Sequence, residues 1–218
     1  MITVPPPLTE SRLLVAVDEL AAADPALGTV VERFGPPPLW AREPGFPTLV
    51  HLILEQQVSL ASAQAAFDRL RLAAHPLTPR SLLRLDDAQL LAVGFSRQKA
   101  RYARALATAV DDGSLDLDGL AGLDDDEVDA TLTALPGIGP WTSTIYRLMV
   151  LLRADAWPVH DIALAQALAE LRGLDARPDA EAMLGLAEAW RPLRAVAARI
   201  LWHHYLSTPR PRRIVPVT

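Results

Sequence analysis

The chain has 218 residues, half of them apolar, a net charge of −5 and no cysteine. Its length suffices for one large domain or two lobes, and the missing cysteine excludes disulfides, thiolate zinc sites and cysteine-ligated iron–sulfur clusters. No apolar run is long enough to cross a membrane, and Met1-Ile2-Thr3-Val4 before Pro5, Pro6 and Pro7 lacks the features of a secretion signal, so a cytoplasmic protein is expected.

The pattern is helical nearly throughout. Thr9 is a plausible N-cap for a helix whose apolar stripe is Leu13, Leu14, Val17 and Leu20. Pro36, Pro37, Pro38, Pro44 and Pro47 mark a loop over 34–47, and residues 48–73 read as two successive helices. A short helix near 86–93 ends at Gly94, which suits a left-handed C-cap. A further helix over 97–110 carries Arg97, Lys99, Arg101 and Arg104. Asp124 caps a helix to about Thr133, a Pro-Gly-Ile-Gly-Pro turn follows, and the next helix runs through Leu152. Asp161 opens a helix to Leu171, residues 190–206 form a last long one, and 207–218 read as a flexible tail. The fold expected is all-α, roughly ten helices in two lobes. Lobe A covers about 48–134, and lobe B about 1–47 together with 135–206.

Nine acidic residues fall within 111–129, a stretch without Lys or Arg, and the rest of the chain is net basic. The run reads as a solvated acidic surface. It does not exclude a polyanionic partner, because phosphate attraction is local, decaying over about 8 Å at physiological salt.

The turn Pro136-Gly137-Ile138-Gly139-Pro140 has two readings. Each glycine permits backbone angles closed to other residues and keeps no Cβ between the chain and a partner. The helix beginning near Pro140 presents N–H groups and the positive end of its dipole, a setting for phosphate oxygens. The alternative is an ordinary tight turn with Ile138 as a core plug. The longer run, with Leu132 before it and Leu135-Pro136-Gly137-Ile138-Gly139-Pro140-Trp141-Thr142 through it, resembles the hairpin of the helix-hairpin-helix DNA glycosylase superfamily. The resemblance implies a two-lobed helical glycosylase fold and DNA binding through Pro136, Gly137, Ile138, Gly139 and Thr142.

Asp161 follows Trp141 by twenty residues, in Trp157-Pro158-Val159-His160-Asp161-Ile162, and locally it is an N-cap. Capping N–H groups favour a charged carboxylate, and a fixed negative charge suits cleavage through an oxocarbenium-like sugar. In the superfamily the Asp at this spacing is catalytic, a role the resemblance carries to Asp161. Bifunctional members place a Schiff-base lysine just after the hairpin. Here that position is Trp141, and the chain's single lysine, Lys99, lies elsewhere. A monofunctional enzyme using water follows, without an organic cofactor or an iron–sulfur cluster.

Three further segments resemble the AlkA-type 3-methyladenine DNA glycosylases: Ile53-Leu54-Glu55-Gln56-Gln57-Val58-Ser59, Gly94-Phe95-Ser96-Arg97-Gln98-Lys99-Ala100, and Trp190-Arg191-Pro192-Leu193-Arg194 leading to Trp202. The resemblance spans roughly residues 45–206 and is that of a short form without the N-terminal β-domain. It implies that Gln57 wedges into the duplex where the base leaves, with Gln56 and Ser59 also at the DNA. It further implies a base pocket with Trp141 and Trp202, with Ile145 and Ile162 where longer relatives carry tyrosines, and a monovalent cation on the backbone carbonyls of Thr133, Leu135 and Ile138. The expected function is excision of alkylated bases of the 3-methyladenine type from double-stranded DNA in base excision repair, by a monomer associated with the nucleoid. A non-catalytic DNA-binding module of the same fold is the alternative, and a helical regulator with a purely structural turn is a third.

Overall fold

The computed structural model describes Val4 and residues 6–209. Among these residues it contains twelve α-helices, two short 3-10 turns and no strand, as the all-α reading requires. No helix among the described residues is long and apolar enough to cross a membrane. The helices are α1 (Glu10–Ala23), α2 (Pro25–Phe34), α3 (Phe46–Glu55), α4 (Leu60–Ala73), α5 (Pro79–Leu83), α6 (Asp87–Val93), α7 (Arg97–Asp111), α8 (Asp125–Thr133), α9 (Pro140–Met149), α10 (Ile162–Arg172), α11 (Ala180–Ala187) and α12 (Arg194–Ser207).

Local chemistry sets most helix starts. Thr9, Asp124 and Asp161 cap α1, α8 and α10 through side-chain oxygens, and Gly94 ends α6 in the left-handed region at φ 112°. Asp124 and Glu127 form a reciprocal capping box. Three helices lie outside the sequence reading: α2, α5 and α11. Two boundaries also differ. Helix α9 stops at Met149 rather than Leu152, because Leu152 turns the chain at φ 54°. The last helix begins at Arg194 rather than 190, after a 3-10 turn over Glu188–Trp190. The expected tail begins inside α12, which includes Ser207, and residues 210–218 lie outside the described residues.

The chain divides into two compact units. One is Trp40–Arg153 with the described residues before Leu8; the other is Leu8–Leu39 with the described residues after Arg153. The division differs from the expected lobes at both cuts, and packing explains why. The hairpin and α9 stay with the first unit because α9 packs on α8 and α3. Arg147 of α9 pairs with Asp125 and Asp129 of α8, and Arg42 N–H donates to the Met149 carbonyl at 2.8 Å.

In the first unit α3 is the axis. Leu49, Val50, Leu52, Ile53 and Leu54 are buried, and the helix meets α4, α7 and α9. The acidic run is in part structural rather than a solvated surface. Asp125 also pairs with the buried Arg153, whose guanidinium donates to the carbonyls of Ala121 and Leu123. In the second unit α12 packs on α1, α2 and α10. Arg199 is fully buried there and donates to the carbonyls of Leu39 and Ala195, with burial pushing its guanidinium down to about 10. Asp24 joins α2 to α10 and the 3-10 turn, accepting from Arg172 at 3.2 Å and from the Trp190 indole at 2.8 Å. Burial pushes the Asp24 carboxyl up, but these donors outweigh it and hold the group below its ordinary range.

Candidate active site

The hairpin is a tight turn between α8 and α9. Leu135 N–H donates to Leu132 O, and Ile138 N–H to Leu135 O at 3.1 Å. Ile138 is 3% exposed, so the core-plug role is real. It does not account for the two glycines, which differ sharply. Gly137 sits at φ +86°, and a Cβ there would lie 2.0 Å from Cγ of Tyr102 on α7. The fold therefore demands glycine at that position. Gly139 has extended backbone (φ −95°, ψ 179°), and a Cβ there would meet nothing within 4 Å. Nothing among the described residues requires glycine at 139. A bare backbone there leaves room for an outside group to approach the start of α9.

Helix α9 is one of three among the described helices that begin without a side-chain cap. Pro140 occupies its first turn, and the first helical bond is Ser143 N–H to Gly139 O at 3.1 Å. Thr142, 2% exposed, does not reach outward. Its hydroxyl accepts from Gln56 Nε2 at 3.0 Å, and the same Nε2 donates to Gly137 O at 2.8 Å. Gln56 and Thr142, both expected at the DNA, thus bind each other and the turn. Gln57 and Ser59 are exposed beside them. Gln57 has φ +56°, in the left-handed region, and Ser59 caps α4 by accepting from Ser62 N–H. Lys99 extends from α7 to donate to the carbonyl of Leu54 at 2.7 Å, near the end of α3. Burial holds its ammonium below the ordinary lysine value. The chain's only lysine is thereby a helix-end brace.

The turn bonds engage the carbonyl of Leu135 and neither that of Thr133 nor that of Ile138. A carbonyl also has two lone pairs. The turn bonds thus leave a lone pair on each of the three carbonyls that the resemblance assigns to a monovalent cation.

In the second unit Asp161 occupies the N-cap of α10. Its Oδ1 accepts from Leu164 N–H at 3.0 Å and from the Trp202 indole N–H at 3.1 Å. Two donors from different helices fix the orientation of the carboxylate. Trp202, 8% exposed, meets Asp161 through its indole edge; sequence reasoning gave it only a stacking face. Its partner in the expected base pocket, Trp141, is half-buried in the first unit. Ile162, beside Asp161, is 67% exposed, Ile145 is buried on α9, and His160 is exposed. Further along the helix pair, His204 of α12 lies 2.9 Å from Glu170 of α10.

Sequence reasoning missed Tyr102 under Gly137, the Gln56 bonds, and a separate groove on the first unit. That groove, of about 960 Å³, is lined by His51, Glu55, Phe67, Arg71 and His75 among others, and by none of the expected site residues. Within it His51 stacks on Phe67 at 4.3 Å, and Glu55 pairs with Arg42 at 2.8 Å. No local signal joins Tyr102 or Gln56 to a turn so distant in sequence.

Comparison with known proteins places this geometry. Residues 50–192 match the HhH-GPD superfamily of base excision DNA repair proteins, and the chain belongs to that superfamily. Among solved structures it resembles the Schizosaccharomyces pombe 3-methyladenine DNA glycosylase in complex with abasic DNA. That match has a TM-score of 0.81 and 26% identity over 86% of this chain and 94% of that one. It also resembles a DNA-3-methyladenine glycosidase from Bacillus halodurans, with TM-score 0.72 and 31% identity over 88% and 89% of the two chains. The Bacillus subtilis protein YfjP is 27% identical over 186 residues, which is 81% of this chain and 64% of YfjP. The chain thus spans slightly less than two thirds of that relative.

Proposed function

We propose that this chain is a monofunctional DNA glycosylase that releases alkylated bases of the 3-methyladenine type from double-stranded DNA. The observation that carries the reading is Asp161, a carboxylate held by the Leu164 and Trp202 N–H groups. The names of the two similar solved structures support the substrate class.

In this reading the hairpin takes a phosphate on the bare backbone at Gly139 and the dipole of α9, and Gln57 enters the space left by the extruded base. The bond from C1′ to the base nitrogen then breaks, and its electron pair leaves with the base. A purine methylated at N3 or N7 departs readily because it is already cationic. The fixed charge of Asp161 stabilises the sugar cation, and water adds at C1′ and loses its proton. Lys99 forms no Schiff base, since its ammonium is bound to the Leu54 carbonyl. Stacking of an aromatic ring on the base, the role that the resemblance gives to Trp141 and to Trp202, is worth about 1–3 kcal/mol per base. A monovalent cation, if bound, would be held by the Thr133, Leu135 and Ile138 carbonyls and would add positive charge beside the phosphate. The protein would act as a monomer on the cytoplasmic nucleoid.

The test is to incubate the protein with methylated duplex DNA and identify the bases released. Free 3-methyladenine or 7-methylguanine supports the reading. Tight binding to damaged duplex with no base released overturns it in favour of a non-catalytic module.

A further inference from the structure

The side chain of Gln56 spans 81 residues of sequence to reach the hairpin. Its amide orientation is dictated by chemistry, because only Nε2 can donate to the Gly137 carbonyl. The second Nε2 proton goes to the Thr142 hydroxyl, so both donors are spent inside the protein. On its other side Gln56 is bonded to Gln57, exposed and at φ +56°, a conformation that residues with a Cβ seldom adopt. Such a conformation persists only where the surroundings over-determine it. Here the flanking anchors are Gln56 on the hairpin and Ser59 at the start of α4. Lys99 holds the Leu54 carbonyl just before them, and Tyr102, from the same helix as Lys99, fills the space under Gly137. The end of α3, the hairpin and α7 therefore brace one another in a closed set of contacts within one unit.

We propose that Gln56 is a positioning residue, not a DNA contact: it ties the turn that presents Gln57 to the hairpin. Phosphate held at the hairpin then fixes where Gln57 stands when a base is extruded. This rests on the glycosylase reading above and adds to it a link between grip and wedge. Gln56→Ala frees the turn and leaves Asp161 untouched, so the loss falls on extrusion.

The test compares single-turnover base release from a methylated duplex with release from the same lesion in a single strand, which needs no unpairing. Gln56→Ala is expected to lose about tenfold on duplex and less than about twofold on single strand. Gln56→Glu, which keeps the length but turns an acceptor toward the Gly137 carbonyl, is expected to follow it. Because Gln56 acts through Gln57, the Gln56→Ala/Gln57→Ala double variant should be no slower on duplex than Gln57→Ala alone. Equal losses on both substrates, or fully additive losses in the double variant, would overturn the proposal. A wild-type protein that releases no base from either substrate removes the glycosylase reading instead. The link is then read from the fluorescence of 2-aminopurine paired in a bound duplex. A lower signal with Gln56→Ala supports the link, and an unchanged signal refutes it.

Discussion

Replacing each hairpin glycine with alanine separates what the fold requires from what a ligand requires. At Gly137 a Cβ would lie 2.0 Å from Cγ and 2.2 Å from Cδ2 of Tyr102, distances at which the ring must move. Overpacking of this kind costs about 1–3 kcal/mol. Alanine at φ +86° adds about 1–2 kcal/mol for the left-handed backbone. The sum, about 2–5 kcal/mol, corresponds to a fall in melting temperature of roughly 4–20 °C for a chain of this size. At Gly139 the added methyl meets nothing and the backbone is already in a region alanine favours. Stability should change by less than about 0.5 kcal/mol. DNA affinity should nevertheless fall about tenfold or more, because a charge-assisted bond from backbone N–H to phosphate is obstructed. Thermal melting and a binding titration at fixed salt measure both effects. Gly137→Ala melting with the wild type would refute the Tyr102 packing. Gly139→Ala binding as tightly as the wild type would refute backbone recognition of phosphate.

Other outcomes follow from the same geometry. Lys99→Met should lower stability by about 1–2 kcal/mol through the lost bond to Leu54 and leave base release intact; a covalent adduct trapped by borohydride on wild-type protein would show instead that Lys99 is a nucleophile. Burial holds the His51 imidazole below its ordinary 6.5, with Glu55 working against it and Arg42 with it. A folded-state value below the unfolded one means stability is full above about 6.5 and is lost as pH falls further. His51→Gln should therefore melt with a flatter pH profile below 6.5 than the wild type, and parallel profiles would contradict the burial argument.

The sequence was most legible where cause and effect lie within one turn of helix. Thr9, Asp124 and Asp161 act on N–H groups three residues away, and Gly94 acts on its own backbone, so these helix ends could be read directly. The end of α9 could not. Leu151 and Leu152 continue the apolar pattern, yet the chain turns at Leu152 and Arg153 is buried against the Ala121 and Leu123 carbonyls. The unit boundary failed for a related reason: Arg147 commits α9 to α8 through Asp125 and Asp129, and periodicity carries no information about which helices pair. At the site, Asp161 was legible as a cap and a carboxylate, whereas the Trp202 indole bond spans 41 residues. For Gln56 the resemblance marks a segment without saying which way the side chain points, and its bonds to Gly137 and Thr142 span 81 and 86 residues.

Whether Asp161 drives glycosidic cleavage is tested most directly by single-turnover release of methylated bases by Asp161→Asn. Asparagine keeps the size of the side chain and can still accept from Leu164 N–H and the Trp202 indole, so folding and DNA affinity should survive. Removing the negative charge should slow release by at least about a hundredfold. Release at the wild-type rate by a folded, DNA-binding Asp161→Asn protein would contradict the account.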